Sequence, residues 1–126
     1  MLDDGRPLFL QIAQQIEDSI LSGALAEEAQ APSTNELAAF QRINPATAGK
    51  GINLLVDKGV LYKRRGIGMF VATGARAAIL AERRAAFAEQ FVDPVLAEAR
   101  RLGMAPSDLI DLVAERAATL TRGDSP

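Results

Sequence analysis

The side chains in this sequence that could do chemistry are defined first by what is missing. There is no His and no Cys, which removes the usual general base, the commonest metal ligand and every thiol nucleophile or disulfide. The carboxylates form no paired cluster and no nucleophile motif is present, so neither catalysis nor a metal or other cofactor is expected. What remains is a set of cations, hydroxyls and amides. Lys50, Arg64 and Arg65 offer charged donors, Ser33, Thr34 and Thr47 offer hydroxyls, and Asn35 and Asn44 offer amides. Those groups suit phosphate oxygens and the hydrogen-bonding edges of bases.

Their distribution strengthens that reading. The formal net charge is −2, unfavourable for a polyanion binder if it were spread evenly. Between residues 37 and 74, however, the charged residues are Arg42, Lys50, Lys58, Lys63, Arg64 and Arg65 against Asp57 alone. The acids of the first half are Asp3, Asp4, Glu17, Asp18, Glu27, Glu28 and Glu36. An acidic chain can therefore present one positive face.

Short, locally encoded elements must position these groups. Ser33 and Glu36 have the S-x-x-E spacing of a capping box, which predicts a helix over about residues 34–40 with Leu37 and Phe40 inward. Asn44 followed by Pro45 is a strong N-cap and first helical residue. The helix it opens directs Ile52, Leu55 and Val56 inward and ends at Gly59. Gln41, Arg42 and Ile43 form the short connection of a helix-turn-helix. Residues 60–63, a turn over 64–68 containing Gly66 and Gly68, and Met69 to Val71 then read as a hairpin, or wing. Upstream, Pro7 and an i, i+4 stripe of Leu8, Ile12, Ile16 and Ile20 predict a helix stopping at Gly23.

From residue 75 the pattern becomes long amphipathic helix. Leu80, Phe87, Phe91, Val95 and Leu102 recur at helical spacing, and a second helix from Pro106 carries Leu109, Leu112 and Val113 on one face. Pro94 predicts a kink or a restart capped by Asp93, and Gly103 a stop. A pair of this length cannot bury both stripes on itself, so the expected partner is the same pair from a second chain. Folding back onto the first core, as a monomer, is the alternative. The expected fold class is mainly α with a small β-hairpin: a winged helix-turn-helix over residues 1–74 and a two-helix dimerisation tail over residues 75–126, whose last residues fray. No apolar run approaches the ~20 residues of a membrane span, and the acidic start does not read as a signal peptide. A cytoplasmic location is expected.

These residues resemble the GntR-type bacterial transcriptional repressors, in particular the YtrA-like branch with a short C-terminal tail. The resemblance rests on four segments in order: PLFLQIAQQIEDSILSGAL, APSTNELA, INPATAGKGINLLVDKGVLY and KRRGIGMFVA. It implies a homodimer binding a two-fold-related double-stranded DNA operator. In such a motif the second helix enters the major groove by its N-terminal residues, which places Asn44, Ala46, Thr47 and Lys50 at DNA. Ser33, Thr34 and Asn35 would meet the backbone, while Arg64, Arg65, Gly66 and Gly68 would form a wing at the minor groove.

The sequence departs from the family pattern at Asn35, Ala48, Gly49 and Gly51. Two glycines inside a helix each cost roughly 1 kcal/mol relative to Ala, and the lost arginine-type positions predict a grip dominated by the DNA backbone. Two other functions compete. A protein-interaction or scaffolding module could retain the fold with little base readout. Alternatively, a small apolar effector could lodge at the dimer interface between tail helices and gate the repressor. Phe87 and Phe91 read as dimer core rather than as a ligand cage.

Overall fold

The computed structural model describes residues 5–123. Residues 1–4, in the acidic start, and 124–126, in the end expected to fray, lie outside the described residues. The chain divides into two compact units, Met1–Glu82 and Arg83–Pro126.

The first unit opens with α1 (Leu8–Ser22), which follows Pro7 and stops at Gly23, whose φ of 88° is the left-handed geometry that glycine adopts without penalty. Ile12, Ile16 and Ile20 are buried, whereas Leu8 in the first turn lies at the surface. The next helix, α2 (Thr34–Gln41), begins with the expected capping box: Glu36 N–H donates to Ser33 Oγ at 3.1 Å and Ser33 N–H donates to Glu36 Oε1 at 2.9 Å. The Ser33 backbone N–H, and after it the Ser33 hydroxyl, hold the Glu36 carboxyl below its ordinary pKa. Helix α3 (Pro45–Asp57) is capped by Asn44, whose Oδ1 accepts from Ala46 N–H at 2.7 Å.

One expected core residue is corrected. Phe40 is 82% exposed. On α2 the buried positions are Leu37 and Ala38, and the next inward position falls to half-buried Gln41, whose amide donates to Gln15 Oε1 at 2.7 Å. Helical geometry turns residue 40 away from that face. Ile52 and Leu55 are fully buried as expected, while Val56 is only half-buried.

Strands β1 (Leu61–Arg64) and β2 (Gly68–Val71) pair antiparallel, with Leu61 opposite Val71 and Arg64 opposite Gly68. Their turn closes with Ile67 N–H donating to Arg64 O at 2.9 Å, with Gly66 at a φ of 75°. The connection between α1 and α2 covers the other edge of β2. Glu28 N–H donates to Val71 O, Val71 N–H to Ala29 O and Ala31 N–H to Met69 O, at 2.8 to 3.0 Å. The wing is thereby paired on both sides of β2.

Helix α4 (Ala75–Phe87) starts inside the first unit. Ala75 and Ile79 belong to its core, which carries that unit to Glu82, beyond the boundary at 74 expected from the change in sequence pattern. Glu27 caps the helix start, its two carboxylate oxygens accepting from Gly74 N–H and Arg76 N–H at 3.0 Å each. Lys58 Nζ bridges Glu17 at 2.9 Å and Glu82 at 2.7 Å. Burial opposes the Lys58 charge, but hydrogen bonds to Glu82 and Glu17 outweigh it and raise the pKa.

In the second unit, α4 passes through one π-helical turn, Ala88–Val92, into α5 (Asp93–Arg101), and α6 (Pro106–Gly123) follows. Asp93 is not the N-cap expected before Pro94. It has helical dihedrals, and its N–H donates to Ala88 O, one residue further back than in an α-helix. The wider turn accommodates the proline without ending the helix. Gly103, at a φ of 73°, separates α5 from α6, and Asp108 Oδ2 accepts from Ala105 N–H at 3.0 Å at the start of α6.

Candidate nucleic-acid interface

Two helix N-termini and a hairpin carry the candidate residues. At the start of α2, Ser33 and Asn35 are exposed and Thr34 is half-buried. Ser33 Oγ accepts a capping bond, and its hydroxyl also bonds the Glu36 carboxylate. Asn44 is likewise engaged through Oδ1 while its amide NH₂ can still donate. Ala46 and Lys50 are exposed, and Thr47 is half-buried. Together these groups present donors at two positive helix ends.

The two glycines of α3 have different reasons. A Cβ on Gly49 would meet Thr34 Cγ2 and Oγ1 at ordinary distances of 3.5 and 3.9 Å, so packing within the protein does not demand glycine there. A Cβ on Gly51 would stand 2.9 Å from the Phe9 carbonyl oxygen and 3.0 Å from Ile12 Cγ2. Gly51 is therefore the residue over which α1 and α3 approach closely, and Ala48, fully buried, packs one turn before Ile52.

In the wing, Arg64, Arg65, Gly66 and Ile67 are exposed. The Arg64 guanidinium lies 4.7 Å from the Phe70 ring centroid, so its plane is supported by the wing itself. A Cβ on Gly68 (φ 141°) would strike Gln30 Nε2 at 2.7 Å, and that amide donates to Ile67 O at 3.0 Å. The tip is thus pinned by Gln30, a residue that no local sequence pattern singles out. Of the cations counted between residues 37 and 74, Lys58 is neutralised by its two glutamates.

A further tie joins wing and connection. Glu28 accepts from the Tyr62 hydroxyl and, at 2.6 Å, from Thr73 Oγ1. These bonds, Thr73 first, lower the Glu28 pKa, and the carboxylate raises that of Tyr62. Glu28 holds a φ of 67°, a strained value for a residue with a Cβ, which its two side-chain bonds offset.

The expected dimer residues Leu80, Phe87, Phe91, Val95, Leu102, Leu112 and Val113 are all exposed, and Leu109 is half-buried. Phe87 and Phe91 pair with ring centroids 5.6 Å apart. Among the described residues there is no cluster of metal-ligating side chains and no helix long and apolar enough to cross a membrane. A recess of 530 Å³ is lined by Ile16, Leu25, Leu37 and Phe40 among others, and shares no residue with the cationic set.

A capped helix-turn-helix followed by a basic, glycine-tipped wing is the architecture of a DNA-binding transcriptional regulator. The family model for bacterial regulatory proteins of the gntR family matches residues 8–71, and the chain belongs to the GntR family. Bacillus subtilis YtrA, a helix-turn-helix transcriptional repressor, is 26% identical over 117 residues, which cover 93% of this chain and 89% of YtrA. Longer regulators match only in part, the chain spanning 30% of the length of one and 27% of another. A GntR-family regulator from Bacteroides thetaiotaomicron superposes with a TM-score of 0.75 at 32% identity, covering 90% of this chain and 98% of that one. The DNA-binding domain of AraR, solved with operator ORR3, superposes with a TM-score of 0.52 at 30% identity, over 57% of this chain and 87% of that one.

Proposed function

We propose that this regulator is a homodimeric repressor that binds a pseudo-palindromic operator through α3 and the wing. The observation that carries the dimer is the set of exposed apolar side chains from Phe87 to Val113 in the second unit, whose helices have almost no core of their own. A second copy of the same helices would bury that set and relate two recognition helices by a two-fold axis. Thr47 and Lys50 would then meet the major groove, Ser33, Thr34 and Asn35 the backbone, and Arg65 the minor-groove side. The AraR domain bound to its operator supports the docking mode by likeness of fold. The π turn, Ala88–Val92, marks the same interface as the place where a small apolar effector would act.

Titration of duplexes from the chain's own promoter region, followed by fluorescence anisotropy at graded salt, tests this reading. The slope of log affinity against log salt is expected to be about −0.9 per phosphate contact. Lys50→Ala and Arg65→Ala each weaken binding and reduce that slope by about one contact per protomer, or two per bound dimer. Binding insensitive to salt and to both substitutions, together with a co-purifying protein partner, would favour the scaffolding alternative.

A further inference from the structure

The close approach over Gly51 has a neighbour in the recognition helix. One residue earlier, Lys50 Nζ sits 4.1 Å from the centroid of the Phe9 ring. Phe9 is half-buried and Lys50 exposed. The recess around the ammonium is lined by Leu8, Phe9, Ala46 and Thr47, with no carboxylate among them. A second recess, which shares Phe9, Ala46 and Lys50 with the first, includes Asn53 and Asp57. Any side chain at residue 51 would push the α1 backbone at Phe9 away from α3, and the ring would move with it.

We propose that Phe9 is a positioning residue for Lys50. The electron-rich ring face attracts the ammonium and selects one placement for a side chain that is otherwise flexible. A lysine already in place loses less freedom when it meets a base edge or phosphate. Ordering of this kind strengthens the register-specific complex more than loose contact with any duplex. Gly51, which looks like a defect in the reading helix, is what lets α1 deliver the ring. The proposal rests on the reading above that Lys50 meets DNA.

Its test combines a measurement without DNA and one with it. In the NMR spectrum of the full chain, the Lys50 ε-methylene protons are expected upfield of ordinary lysine positions, returning to them in Phe9→Leu. Affinities are then compared for wild type, F9L, K50M and F9L/K50M on a duplex enriched from a random library and on a scrambled duplex of the same composition. F9L is expected to weaken the enriched duplex about three- to ten-fold and the scrambled one less than about two-fold. No further loss is expected when K50M is already present, and F9Y, which keeps the ring, should bind as wild type. Unshifted methylene protons in the wild type overturn the proposal. So does an F9L loss that persists in the K50M background, or that is equal on both duplexes. Wild-type protein that enriches no duplex overturns the functional reading and the positioning role together, whereas enrichment without F9L–K50M coupling overturns the positioning role alone.

Discussion

The two compact units solve the problem of burying apolar surface in opposite ways. The first closes a core of its own, with Ile12, Ile20, Ile52, Leu55, Leu61, Val71 and Ile79 all below 2% exposure. It ties its periphery with long-range bonds from Glu27, Glu28, Gln30 and Lys58. The second buries Ala99 and little else, leaving Phe87, Phe91, Leu102, Ile110 and Leu120 each more than half exposed. Rigidity belongs where a binding surface must hold its geometry, and unfinished surface belongs where assembly is to happen.

The largest expected effect breaks the second region without touching the first. Phe87→Ser with Phe91→Ser should convert the proposed dimer to monomer in sedimentation velocity. Operator affinity should fall by about 100-fold or more, because the second half-site no longer binds intramolecularly. The thermal unfolding of the first unit should persist.

Next in size is Gly51→Ala, where the added methyl meets the Phe9 backbone and must displace it. It should destabilise by about 1–3 kcal/mol in denaturant melts. Gly49→Ala is its control and has the opposite sign, stabilising by about 0.5–1 kcal/mol by raising helix propensity where there is room. Two glycines two residues apart would thus separate a packing requirement from its absence.

The smallest effect is pH-dependent and confined to the first unit. Glu27 and Glu28 have folded pKa values below the ordinary 4.5. The Gly74 N–H is the largest cause at Glu27, and the Thr73 hydroxyl at Glu28. Their contribution is therefore complete above about pH 4.5 and is lost as pH falls through the depressed values. Melting temperatures measured from pH 7 downward should decline less steeply in Glu27→Gln than in wild type.

The parts of this molecule legible in the sequence are those encoded within a few residues. Ser33 with Glu36, Asn44 with Pro45, and the Gly66 turn each specify their own local geometry, and family resemblance placed them in order. What escaped is encoded across the chain. Phe40 could not be assigned outward without knowing that Gln41 meets Gln15, 26 residues away. The bond from Thr73 to Glu28 spans 45 residues, and it accompanies a left-handed conformation that nothing in the residue type announces. Gly51 read as a weakness in α3 because its reason, the Phe9 carbonyl, lies on another helix. The candidate cations were identifiable by type. Which of them is already paired, as Lys58 is, depends on Glu17 and Glu82 arriving from elsewhere.

The central claim is that an unfinished helical tail converts a self-sufficient DNA-reading unit into a two-fold one. Selection of duplexes from a random-sequence library by the full chain, followed by sequencing of the enriched pool, tests it most directly. The expected result is an inverted repeat with a fixed separation between its halves. Enrichment of a lone, unpaired half-site, or of no common sequence at all, would contradict it.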